Sequence, residues 1–163
     1  MSLYQIEQRP AQPYVGIRVQ VPQQDIGREC PPLIGEVMGW LQSQGLNPSG
    51  PPIFRYTEFG ERETIDVGWP VASLPAQVSG RMRADTLPAG RHATLLYTGP
   101  YDGLPGAVQQ FLEAMAKDKV PLAVEELKPQ GRRWGAFVEW YLTDPMTEPD
   151  PKKWQTQVTV LLK

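Results

Sequence analysis

The chain has 163 residues, 40% of them hydrophobic and 21% charged, with a net charge of −2. That is the length of one domain and apolar enough to bury a core, which excludes a disordered chain. Lys and Arg gather only in short pairs such as Arg132-Arg133 and Lys152-Lys153, so direct nucleic-acid binding is not expected.

Other function classes drop out in the same way. No apolar run approaches the roughly 20 residues of a membrane span, and no basic-then-apolar leader opens the chain. A cytoplasmic protein with no membrane partner is the expectation. The single cysteine, Cys30, and the single histidine, His92, preclude an internal disulfide and leave too few ligands for a Cys/His zinc site. Neither metal nor cofactor is expected. Eighteen prolines and fifteen glycines predict short elements joined by tight turns.

In chain order, Val15, Ile17, Val19 and Val21 alternate and predict a half-buried strand over 14–21. Ile34, Val37, Met38 and Leu41 are spaced as one face of a helix, with Pro31 and Pro32 in its first turn and Gly45 at its C-terminal cap. Strands follow at 53–59 and 64–72. Pro70 lacks an N–H, so the second should be an edge strand or end in a bulge. A second cycle repeats the order. It has a crossing strand at 78–86, a turn at 87–90 and a strand at 92–98. A helix follows, with Leu104, Val108, Phe111, Leu112 and Met115 on one face, then strands at 134–142 and 155–162.

Both cycles read strand, helix, strand, strand, which predicts a duplicated α+β domain spanning 1–163, with repeats at about 4–76 and 77–163. The sheet should be mainly antiparallel. Two helices should cover one face, and a concave cleft should lie on the other.

Five phrases occur in order along the chain: Gly50-Pro51-Pro52 with Tyr56 after it; Asp66-Val67-Gly68-Trp69-Pro70-Val71; Leu87-Pro88-Ala89-Gly90; Gly99-Pro100-Tyr101-Asp102; and Glu139-Trp140-Tyr141-Leu142-Thr143-Asp144-Pro145. The ordered set, from about residue 4 to 162, resembles the GyrI-like, or effector-binding, family. The resemblance implies a hydrophobic cleft between repeats that takes bulky, often cationic, aromatic compounds, with a pocket carboxylate at the position of Glu139. Family members include ligand-sensing domains of transcription regulators, standalone hydrolases of cyclopropane-bearing toxins and inhibitors of DNA gyrase. Regulators carry a DNA-binding domain ahead of this one; with only a few residues before the first strand, that function is not expected here.

Alternation puts Phe137, Glu139 and Tyr141 on one strand face and Trp140 on the other. A carboxylate between two aromatic rings is poorly hydrated, so its pKa should rise, and a ligand cation would meet both the acid and ring faces. The candidate ligand-binding residues are Glu139, Tyr141, Phe137, Trp69, Tyr56, Phe54 and Tyr101. The expected partner is a small aromatic or cationic molecule.

Two other readings stand beside binding. In a hydrolase, Glu139 would be the general base, aided by Tyr141, on an already strained ring. In an interaction module such as a gyrase inhibitor, the acidic stretch from Glu58 to Glu63 would meet a protein partner, and a homodimer is a further expectation. Among the remaining polar residues, Asp102 is expected to cap a helix, Cys30 to be a small buried hydrophobe, and His92 to lie at the surface or a strand end.

Overall fold

Alternating apolar residues build a curled sheet of nine strands in the computed structural model, which describes residues 3–163. The strands are β1 (Gln5–Arg9), β2 (Gln12–Val21), β3 (Ile53–Phe59), β4 (Glu63–Pro70), β5 (Met82–Leu87), β6 (Gly90–Thr98), β7 (Val124–Glu126), β8 (Arg132–Tyr141) and β9 (Gln155–Leu161). The main helices are α2 (Pro31–Ser43), preceded by the single turn α1 (Ile26–Glu29), and α3 (Leu104–Lys117). No helix among the described residues is long and apolar enough to cross a membrane.

The order β1-β6-β9-β8-β3-β4-β2-β5, with β7 also on β8, places equivalent strands of the two halves symmetrically about a β8–β3 seam. All pairings are antiparallel. The expected duplicated α+β architecture is therefore present. The edge strands are exchanged: β1 precedes β2 but pairs with β6, and β5 precedes β6 but pairs with β2. The sequence gives no sign of β1, because Gln5-Ile6-Glu7-Gln8-Arg9 is mostly exposed and has no apolar face to bury.

The helices end alike. After α2, Gly45 adopts φ 69°; its N–H bonds to Gln42 O at 3.1 Å, and Leu46 N–H to Leu41 O at 2.8 Å. These are the two bonds of a left-handed helix stop. After α3 the same bonds run from Lys119 to Ala116 O at 3.1 Å and from Val120 to Met115 O at 3.0 Å, but Lys119 holds φ 59°. A Cβ in that conformation costs about 1 kcal/mol. Lys119→Gly should therefore raise unfolding stability by about 0.5–1 kcal/mol in urea denaturation; a loss would show that the exposed lysine holds something in place.

Three local expectations are corrected. The strand ending at Pro70 is not an edge: β4 lies between β3 and β2, and Pro70 is tolerated as its last residue. Asp102 does not cap α3, whose N-cap is Gly103 with no side-chain bond; Asp102 sits in a short 3-10 turn ahead of it. The crossing strand begins only at Met82.

The placement of the groove also differs in detail. α2 packs mainly on β4 and β2, and α3 on β6, so the β3–β8 seam lies between the two helices. Glu139 pairs across strands with Phe54 and Val158, both part of the core beneath the helices, so its side chain lies on the helix-bearing face. The opposite face at the seam is filled by a second small core of Tyr14, Ile53, Leu87, Val138 and Trp140.

Candidate functional site

Strict alternation along 137–141 of β8 turns Phe137, Glu139 and Tyr141 to the seam, and β3 supplies Phe54 and Tyr56 beside them. Glu139 is only 7% exposed. Both tyrosine hydroxyls donate to Oε1, Tyr141 at 2.7 Å and Tyr56 at 3.1 Å. No described Lys, Arg or His forms an ion pair with it. Burial pushes the Glu139 carboxyl above the usual carboxylate range, and the two hydroxyl donors only partly offset this. The same burial, with the acid alongside, holds both phenols well above their ordinary range, so they stay protonated and keep donating.

Rings enclose the acid. Phe54 meets Tyr141 edge-on at 4.8 Å, and Tyr101 meets it edge-on at 5.7 Å. Tyr101 is held there by the turn before α3. Tyr97 Oη donates to Pro100 O at 2.7 Å, and its ring end occupies the space that a Cβ on Gly99 or Gly103 would need. The phrase Gly99-Pro100-Tyr101-Asp102-Gly103 thus fits around one tyrosine and projects another over the site.

Trp154, which sequence reasoning did not single out, stacks on Tyr101 at 4.9 Å and donates to Glu148 O at 2.8 Å. On the other side, Phe137 touches Tyr56 (5.6 Å), Phe59 (5.1 Å) and Trp134 (5.1 Å). Phe59 and Trp134 reach this face because the β3–β8 register shifts between Tyr56 and Glu58, which resets the alternation.

Of the candidate residues, Glu139, Tyr141, Tyr56, Phe54, Phe137 and Tyr101 are brought together. Trp69 is directed elsewhere: its indole donates to Ile34 O at 2.9 Å and ties β4 to α2. Trp140 faces the second core and donates to Thr159 Oγ1 at 3.0 Å. Cys30 is fully buried, and its thiol is pushed up to about 11 by desolvation. His92 is not at the surface. It is 4% exposed within β6, its Nδ1 bonded to Gly90 O at 2.9 Å, and burial lowers its pKa. On that rear face, Asp66 accepts from the Tyr14 hydroxyl and from both Nε and Nη2 of Arg18, at 2.7 and 3.0 Å, which makes it part of the scaffold.

The acidic stretch at the β3–β4 turn divides. Glu58 pairs with Arg133 at 3.2 Å. Glu63 is 9% exposed, and its Oε2 has no hydrogen-bond partner. Desolvation pushes its pKa up to about 7, although the Gly60 backbone N–H opposes the shift. A carboxyl raised on folding stabilises the protein fully below its unfolded pKa, and that contribution is lost as pH rises through about 7. Glu63→Gln should therefore raise Tm by a few degrees near pH 8 and change it little near pH 4.5. A melting difference independent of pH would contradict this.

A separate groove of about 710 Å³ runs along α3, between Pro105, Val108 and Leu112 on one wall and Val124, Arg132 and Gln23 on the others. No group of three or more metal-ligating side chains occurs among the described residues.

Comparison with known proteins places the fold. The C-terminal domain of EcmrR is 19% identical and matches with a TM-score of 0.73, covering 99% of both chains. EcmrR in the EcmrR–DNA complex matches at 0.71 and 18% identity; the chain covers 59% of that longer protein. SAV2435 bound to tetraphenylphosphonium matches at 0.62 and 18% identity, covering 100% of this chain and 94% of that one. A hydrolase from Listeria innocua matches at 0.57 and 12% identity, covering 98% and 91%. At these identities the likeness concerns the fold. No curated protein matches the chain. Residues 3–163 match the GyrI-like small molecule binding domain, and the chain belongs to that family.

Proposed function

We propose that the protein binds bulky, lipophilic aromatic cations at Glu139, as a sequestering or sensing module. The observation that carries this reading is a carboxylate 7% exposed, with no cationic partner among the described residues and rings on several sides. A buried acid left without a counter-charge is costly, and a cation that brings its own apolar surface offsets that cost. Large delocalised cations hold water weakly, so they lose less on entering than an ammonium would. Ring faces add about 0.5–2 kcal/mol of cation–π attraction. Membership in a small-molecule-binding family and the tetraphenylphosphonium held by SAV2435 support the reading.

Glu139 is buried, so a ligand has to displace side chains to reach it, and Tyr101, 36% exposed and packed on Tyr141, is the side chain proposed to move. Association should therefore be slower than a preformed pocket allows.

A thermal-shift panel of aromatic cations and matched neutral aromatics tests the reading. Stabilisation by cations and not by neutral compounds is expected. Equal shifts with both classes would remove Glu139 from recognition. Turnover of a strained electrophile, lost in Glu139→Gln while binding persists, would replace the binding reading with a hydrolytic one that uses the 2.7 Å Tyr141–Glu139 pair for proton transfer.

A further inference from the structure

Glu139 is not the only acid on the seam face without a counter-charge. Glu63 pairs with Val21 on β2, and its side chain lies on the same side of β4 as Ile65 and Val67, in the core beneath the helices. It is 9% exposed, Oε2 has no hydrogen-bond partner, and no described cation pairs with it.

The ladder fixes how far apart the two acids stand. Glu139 on β8 faces Phe54 on β3, which faces Val67 on β4, and Glu63 lies four residues further along β4. At about 4.8 Å between strands and 3.3 Å per residue, their Cα atoms are about 16 Å apart. Tyr56, Phe137, Phe59 and Trp134 are linked ring to ring in the region between them.

Open volume lies at the same end of the sheet as Glu63, although Glu63 does not itself line it. Gln23, two residues past the Val21 partner of Glu63, and Arg132, the partner of Phe59, both line the 710 Å³ groove. Charge on that groove favours a cation. Glu113 and Glu126 line it with a single arginine, and Glu126 holds that Arg132 at 3.2 Å.

We infer that Glu63 is a second anionic anchor on the same binding surface, so that the preferred ligands are elongated dications with an aromatic cation at each end. One head sits at Glu139, the linker crosses the aromatic run, and the other head meets Glu63 at the mouth of the α3 groove. This rests on the binding reading for Glu139. Joining two heads makes the second contact intramolecular, which multiplies affinity when the linker spans both sites and adds nothing when it does not.

The probes are two quinolinium rings joined by a ten-carbon chain, the same pair joined by four carbons, and a single N-decylquinolinium, each titrated by calorimetry against the full chain. The long dication should bind at least about 30-fold tighter than the single head, and the short one without that advantage. Glu63→Gln should remove the advantage and leave the single head unchanged, while Glu139→Gln weakens all three. Equal binding of long and short dications to the unaltered protein overturns the inference without recourse to any variant. A long-dication advantage that survives in Glu63→Gln also overturns it. If the single head does not bind at all, or binds Glu139→Gln as well as the unaltered protein, the Glu139 reading falls and takes the inference with it.

Discussion

On the proposed reading, Glu139→Gln should weaken binding of tetraphenylphosphonium about 100-fold and leave binding of triphenylphosphine oxide, a neutral compound of similar shape, within about 3-fold. The size follows from the surroundings. A charge pair out of water, when one partner is removed, typically loses about 2–5 kcal/mol, because the remaining charge is left buried alone. Gln keeps the volume of Glu, and its carbonyl oxygen can still accept from Tyr141 and Tyr56, which stand 2.7 and 3.1 Å from Oε1 in the unaltered protein. The surrounding rings and their hydrogen bonds should survive, so the loss isolates the charge. The ligand-free variant should also melt a few degrees higher at neutral pH, since folding no longer desolvates an acid whose pKa burial raises. Calorimetry of both probes against both proteins checks this. A parallel loss for the neutral compound would mean that the substitution had damaged the pocket.

Gly68→Ala destabilises the protein by about 3 kcal/mol or more, among the largest single effects available in this fold. A Cβ there would stand 2.0 Å from Val15 O and 2.6 Å from Gly16 Cα. Both are backbone atoms of β2, so no side-chain rotation relieves the clash, and β2 would have to part from β4. Gly68 also lies on the face that Tyr14 crosses from its partner Pro70 to reach the Asp66 carboxylate. Gly16→Ala should cost less, because its nearest contact is Val67 O at 2.9 Å. Urea unfolding of both variants measures the difference. A Gly68→Ala protein within 1 kcal/mol of the parent would show that the two strands can separate cheaply.

The burial of Glu139 between aromatic side chains was legible because residues 137–141 keep an uninterrupted two-residue period, which puts Phe137, Glu139 and Tyr141 on one strand face. Phe59 and Trp134 were not legible. They sit on the wrong parity until the register shift, which needs the partner strand to be seen. Trp154 joins Tyr101 from a segment some fifty residues away in sequence. Glu63 reads as a solvated turn residue among Glu58, Glu61 and Arg62, and only its place at the start of a central strand buries it. Trp69 was ambiguous for a different reason: an aromatic in an apolar strand fits a pocket wall or a core anchor equally well, and the structure adds an indole hydrogen bond to α2. Periodicity located the faces of most strands, but how the seam sits relative to the helices depends on where α2 and α3 settle across the sheet.

In the proposed recognition a desolvated acid meets a positive charge, and the titration of the Glu139 side-chain carboxyl by carbon NMR reads that property atom by atom. Without ligand its midpoint should lie above the ordinary carboxylate range. Saturating tetraphenylphosphonium should then lower the midpoint by at least about one unit, the linked consequence of binding the ionised form more tightly. A midpoint in the ordinary range that does not move when the cation is added would contradict the account.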